Sequence, residues 1–144
     1  QKIKGDRCEV VRTVLLKKNP FPVYQGERFF PEGWFWNTLA MNYKTVYRNK
    51  TIYICEYLEG GLTKSGRALR MKCPLGMDDC RMYLDNRVCI RRRVKEMLLY
   101  WVYARCAGYS LGKTLSTSGR PVGMMLTALP GMMLYSYWKR KYLK

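Results

Sequence analysis

The sequence has no histidine, no Cys-x-x-Cys pair, and no acidic residue anywhere after Glu96. Without histidine, the imidazole ligands of finger-type and many catalytic zinc sites are missing, and so is the commonest general base. That removes most secreted hydrolase and ribonuclease designs. A cysteine nucleophile would lack an imidazole partner, and the one adjacent acidic pair, Asp78-Asp79, stands where a helix start needs it. The reading is a non-enzymatic chain with no metal and no cofactor.

Acids are scarce throughout. Lys and Arg number 27 against 10 Asp and Glu, a net charge of +17. Such a surplus calls for polyanionic partners: nucleic acid, anionic lipid or acidic glycan. With 48% hydrophobic and 14% aromatic residues, the chain is too apolar for a disordered basic tail. Its 144 residues suit one domain, 1–144, around one core. Six cysteines (Cys8, Cys55, Cys73, Cys80, Cys89, Cys106) favour an oxidising compartment and disulfides, with many connectivities open. The chain opens on Gln1 rather than Met, so a removed targeting segment or a fragment is expected. Asn49-Lys50-Thr51 would be glycosylated at Asn49 on a secretory route.

Proline and glycine divide the chain. Residues 1–31 read as an irregular arm, broken by Asn19-Pro20, Phe21-Pro22, Gly26 and Pro31, with strand or helix left open over 8–18. Tyr43, Tyr47, Ile54, Leu58 and Leu62 keep helical spacing and predict a helix near 34–70. The β-branched patch Thr51-Ile52-Tyr53-Ile54 argues for strand instead. A second helix, near 76–108, follows from Tyr83, Ile90, Val94, Met97 and Trp101, with Asp78 and Asp79 at its start and Gly108 at its stop. Residues 111–120, rich in Ser, Thr and Gly, read as a loop. A third helix, kinked at Pro130, takes most of 121–141. The fold class is all-α, an up-and-down antiparallel bundle over 32–144. A turn centred near Lys72 would set Cys55 against Cys89 and let Cys73 close on Cys80, leaving Cys8 to tie the arm to Cys106. Free buried thiols are the alternative.

Residues 121–138 run without a charge and end on Lys139, Arg140 and Lys141. As one helix this run would reach about 27 Å, near the ~30 Å bilayer core. Gly123, Pro130 and Gly131 interrupt it. Two readings follow, a lipid-contacting segment or a buried helix of the core. In the first, Val122, Met124, Met125, Leu126, Leu129, Met132, Met133 and Leu134 meet lipid. Tyr135, Tyr137 and Trp138 would then sit in the headgroup zone beside the basic stop.

Arg91, Arg92, Arg93 and Lys95 wrap most of a helical turn and predict a positive band; a solvated helix face is the plainer reading. Residues 107–114 (AGYSLGKT) match a loose phosphate-loop pattern. That chemistry needs a strand before the loop and a later acid for magnesium, whereas here a helix is expected and no acid follows. Nucleic-acid binding would suit the charge and the aromatics. The cysteines and the apolar tail weigh against it, and no nucleic-acid partner is expected.

Residues 91–101 (RRRVKEMLLYW), Gly112-Lys113-Thr114 and 133–141 (MLYSYWKRK) resemble the lysin family of abalone sperm acrosomal proteins. The likeness runs from about 60 to about 141, and residues 1–31 have no counterpart in it. It implies a secreted, non-enzymatic, all-α fold of about five helices, stored in the sperm acrosome and released outside the cell. Within that family, lysin loosens the egg vitelline envelope by stoichiometric binding, and a fusogenic paralogue acts on gamete membranes. Six cysteines, absent histidine and an acid-free apolar tail depart from lysin and favour the fusogenic kind. The expectation is a fertilization protein that fuses membranes through an apolar and basic surface. Its partners would be anionic membrane lipids or an egg-surface glycoprotein, with self-association open. Envelope dissolution by binding is the alternative, and a cationic nucleic-acid-binding or antimicrobial protein a further one.

Overall fold

Local side-chain chemistry decides where the helices of this chain break. A computed structural model describes residues 8–54, 56 and 66–143, and every regular element among them is helical. In chain order these are α1 (Thr13–Lys18), α2 (Gly33–Asn42), α3 (Gly66–Lys72), a 3-10 turn over Pro74–Met77, α4 (Asp78–Met82), α5 (Ile90–Cys106), α6 (Leu111–Ser118), α7 (Pro121–Leu126) and α8 (Ala128–Tyr142). The chain is all-α. Its helices are more numerous and shorter than the five or so expected.

Both long helices expected from sequence are interrupted. Past α2, residues 43–54 carry no helix and lie exposed. There the β-branched patch at 51–54, stiff at χ1, outweighs the helical spacing of Tyr43, Tyr47 and Ile54; Leu58 and Leu62 lie outside the described residues. The segment 76–108 breaks at Asp85-Asn86-Arg87. The Asp85 carboxylate accepts from the Arg87 backbone N–H at 2.8 Å and from its guanidinium at 3.0 Å. Such a local bond offers the backbone a rival to the helix. Asp79 stands in the first turn of α4 as expected, but it does not face water. It is 6% exposed and turned toward Arg70 of α3, Oδ2 lying 3.6 Å from Nη1. The stop at Gly108 stands as expected, in a left-handed conformation with φ 73°.

The Ser/Thr-rich stretch expected as a loop is α6. Ser110 caps it by accepting the Lys113 backbone N–H at 3.2 Å, and Gly119 ends it at φ 71°. Within it, Thr114, Thr117 and Ser118 fold their hydroxyls back onto the carbonyls of Ser110, Lys113 and Leu115. The kink expected at Pro130 falls earlier, at Thr127 between α7 and α8. Pro130 has no N–H to give the Leu126 carbonyl, so the ladder breaks one turn before the ring. Pro130 then occupies the first turn of α8, where a proline is tolerated.

The core gathers on α5, where Met97 and the run Tyr100, Trp101, Val102, Tyr103 and Ala104 are buried. Its most extensive partner is α8; α3, α4 and the 3-10 turn also pack on it. Tyr100 Oη lies 2.9 Å from Thr117 Oγ1, while Gly123 meets Met97 and Gly131 meets Trp101 further along. So α5 rises, α6 returns, and α7–α8 rises again beside α5. The layout is up, down, up.

The seam between α5 and α8 leaves no room for a methyl group. A Cβ on Gly131 would stand 2.7 Å from the Cβ, Cγ and Cδ1 of Trp101. That indole is 1% exposed and donates its Nε1–H to the Met124 carbonyl at 3.0 Å, so it has nowhere to go. On Gly123 a Cβ would meet only the flexible tip of Met97, also at 2.7 Å. Gly131→Ala is expected to lower the unfolding free energy by about 1–3 kcal/mol, and Gly123→Ala by less. Urea denaturation measures both, and equal costs would contradict this account of the seam.

Candidate membrane-contact surface

The charge-free run becomes two amphipathic helices, core on one face and surface on the other. Met124 (0% exposed), Gly131 and Trp138 are buried, and Met132, Leu134 and Tyr135 pack against the core from its edge. The lipid contact expected of Met124 and the headgroup position expected of Trp138 are thereby corrected, because both are buried, while Met132, Leu134 and Tyr135 stay half-exposed at the core's edge. On the opposite face Val122, Met125, Leu126, Leu129, Met133 and Tyr137 are exposed, Leu126 at 81% and Leu129 at 75%. Val122, Leu126, Leu129, Met133 and Tyr137 follow at spacings of 4, 3, 4 and 4, a single helical stripe. Of the other exposed apolar side chains, Val10, Val23, Val46 and Ile54 sit outside helices, and Val14 and Ile90 stand on α1 and α5. Among the described residues α7–α8 carries the longest such row, and it ends in positive charge.

That end is braced by aromatic rings. Lys139, Arg140 and Lys141 are all exposed; Lys139 Nζ lies 5.9 Å from the Tyr135 ring centre and Lys141 Nζ 5.8 Å from that of Tyr137. From α3, Arg67 lies 5.1 Å over the Trp138 ring and donates to Tyr142 Oη at 3.3 Å. Sequence reasoning missed Arg67 and Tyr142. They stand 75 positions apart, and no local pattern links them.

The basic run at the start of α5 is partly structural. Arg91 and Lys95 are exposed, but Arg92 Nε lies 2.8 Å from Glu96 Oε1, with its guanidinium 4.3 Å over the Tyr83 ring. Arg93 donates to Asn86 Oδ1 at 2.8 Å. Glu96 is 3% exposed, so its pair with Arg92 holds a buried charge in place. Asp79 and Arg70 stand close by. Burial pushes the Asp79 carboxyl above its usual range against the pull of Arg70, and burial lifts the Tyr103 phenol to about 12. Of the expected band, Arg91 and Lys95 remain for a partner.

Cys8, Cys73, Cys80, Cys89 and Cys106 are free thiols, which corrects the pairings Cys73–Cys80 and Cys8–Cys106. Cys55, the other half of Cys55–Cys89, lies outside the described residues. Cys73 and Cys80 are both buried beside Arg70 and Tyr103, but the turn between them is wound as a 3-10 helix rather than an open loop. Cys106 ends α5 near Lys139, whose charge partly offsets the burial that pushes its thiol up to about 11. Cys8 is exposed in the arm. Asn49, Lys50 and Thr51 are exposed and outside any helix, open to a glycosylating enzyme.

Among the described residues no group of Cys, Asp and Glu is arranged to hold a metal ion. Compared with protein-family models, curated proteins and solved structures, the chain matches none. The state of the thiols is directly measurable. Alkylation of the native protein near pH ~8 should label Cys8 and Cys89 quickly and Cys106 slowly, and spare Cys73 and Cys80. Denaturation without reductant should then expose both; if they stay unlabelled, the two are joined by a disulfide.

Proposed function

We propose that this chain is a secreted, non-enzymatic sperm acrosomal protein that binds gamete membranes and promotes their fusion through α7–α8. The observation that carries the reading is the exposed stripe of Val122, Leu126, Leu129, Met133 and Tyr137, continuous with Lys139, Arg140 and Lys141. At ~1.5 Å per residue the 15 residues of α8 reach about 22 Å, short of the ~30 Å hydrocarbon core. No helix among the described residues is long and apolar enough to cross a membrane. The stripe suits a helix lying in the interface, its apolar face about 5–10 Å deep.

The energetics favour that pose. Because the packed face is already satisfied by α5, the outer face can enter lipid without opening the core. Each large apolar side chain offers about 1.5–3 kcal/mol if fully buried. Each Lys or Arg near an anionic surface adds on the order of 1 kcal/mol. A shallow wedge of this kind spreads headgroups apart in one leaflet, a strain that fusion relieves. The resemblance of 91–101, 112–114 and 133–141 to the lysin family supports the acrosomal setting. Envelope dissolution would use the basic groups but leave the apolar stripe without a role.

The test is a double substitution, Leu126→Asp with Leu129→Asp. Both side chains are exposed, so the fold should stand and the retained positive charge should still adsorb the protein to anionic vesicles. Lipid mixing should fall by about ten-fold or more, since two apolar anchors become charges. A folded variant that mixes lipid at the wild-type rate would remove α7–α8 as the membrane element.

A further inference from the structure

At the C-terminal end of α8, two cations from different helices close on one phenol. Arg67 of α3 donates to Tyr142 Oη at 3.3 Å, and Lys141 Nζ lies 5.6 Å from the centre of the Tyr142 ring. Arg67 is held from below by the Trp138 ring at 5.1 Å, and Lys141 also lies 5.8 Å from Tyr137. Among the described residues neither cation has a carboxylate partner, in contrast to Arg70, Arg87 and Arg92. The helix dipole accounts for Lys139, Arg140 and Lys141 in a last turn. It does not account for Arg67, which arrives from another helix. Two like charges gathered without a counter-charge repel each other, and an anion between them reverses the sign of that interaction.

From this convergence we infer that Arg67, Lys141 and Tyr142 bind a phosphate group, that of an anionic phospholipid headgroup. A guanidinium with N–H groups to spare, an ammonium and a phenolic O–H supply three donors of the kind that a tetrahedral oxyanion accepts. The field of the two cations is already felt at the phenol, whose pKa is lowered chiefly by its hydrogen bond from Arg67 and further by Lys141. Placement selects the lipid source. Tyr137, the last apolar member of the exposed stripe, lies one turn before Lys141, so a headgroup held here leaves its acyl chains alongside Met133 and Leu129. The lipid assignment rests on the membrane reading proposed above; the phosphate site does not.

The test uses the full chain with Arg67→Gln and Lys141→Gln, and Lys17→Gln on the exposed arm as a charge-matched control. Binding is measured to phosphatidylcholine vesicles containing phosphatidic acid, to vesicles of equal surface charge made with oleate, and to glycerol 3-phosphate in solution. Wild type should prefer phosphatidic acid to oleate. Arg67→Gln and Lys141→Gln should each weaken phosphatidic-acid binding by about ten-fold or more and erase that preference, while Lys17→Gln shifts both surfaces equally and slightly. If Arg67→Gln and Lys141→Gln lose no more than Lys17→Gln, the site is overturned and only diffuse charge remains. Glycerol 3-phosphate bound through these residues, without vesicle binding, upholds the phosphate site and removes the membrane reading beneath its lipid assignment.

Discussion

Trp101 packed against Gly131 is the contact on which the rest of the molecule turns. The indole fills the space where any larger residue would carry a side chain, and its N–H satisfies the Met124 carbonyl at the end of α7. Thr127 Oγ1 donates to the same carbonyl at 3.2 Å and to that of Gly123 at 2.9 Å. The buried Thr127 thus bonds the turn between the two helices. Fixing α7 and α8 on α5 at this point settles which face of the charge-free run is inside. The other face, from Val122 to Tyr137, has no choice but solvent or a partner.

Charge is arranged by the same division between inside and outside. Asp79 and Glu96 are buried and used to hold Arg70 and Arg92, the first pair tying α3 to α4 and the second lying within α5. Asp85 is spent on Arg87 within one turn. A buried pair of this kind contributes little net stability but is costly to break from one side, since the partner is left charged and dry. With two acids buried in such pairs and none following Glu96, the end of α8 is left positive. Arg67, Lys139 and Lys141 stand there beside aromatic rings, with Arg140 exposed between the two lysines.

The all-α class and the stop at Gly108 were legible in the sequence, because periodic apolar spacing and a left-handed glycine act locally. The amphipathic nature of 121–138 was not. Its residues are apolar on every side, so composition carried no record of which half was core; Gly131 marked it, but only the Trp101 it meets makes that meaning plain. The loop expected at 111–120 failed for a related reason. Ser and Thr oppose helices when their hydroxyls bond elsewhere, and here Thr114, Thr117 and Ser118 bond back into the same helix. The pairings Cys73–Cys80 and Cys8–Cys106 failed because they presumed two long helices meeting at an open turn. Arg67 and Tyr142 were invisible from sequence, since proximity across 75 positions is a property of the fold alone.

The central claim, that α7–α8 meets lipid with one face while keeping the other on α5, can be read residue by residue. Vesicles carrying a photoactivatable carbene precursor in the acyl chain would be mixed with the native protein, irradiated, and the labelled positions mapped by mass spectrometry. The account predicts label on Leu126, Leu129 and Met133, with Met124 and Trp101 untouched. Label on Met124 or Trp101, or a labelled set that avoids α7–α8, would contradict it.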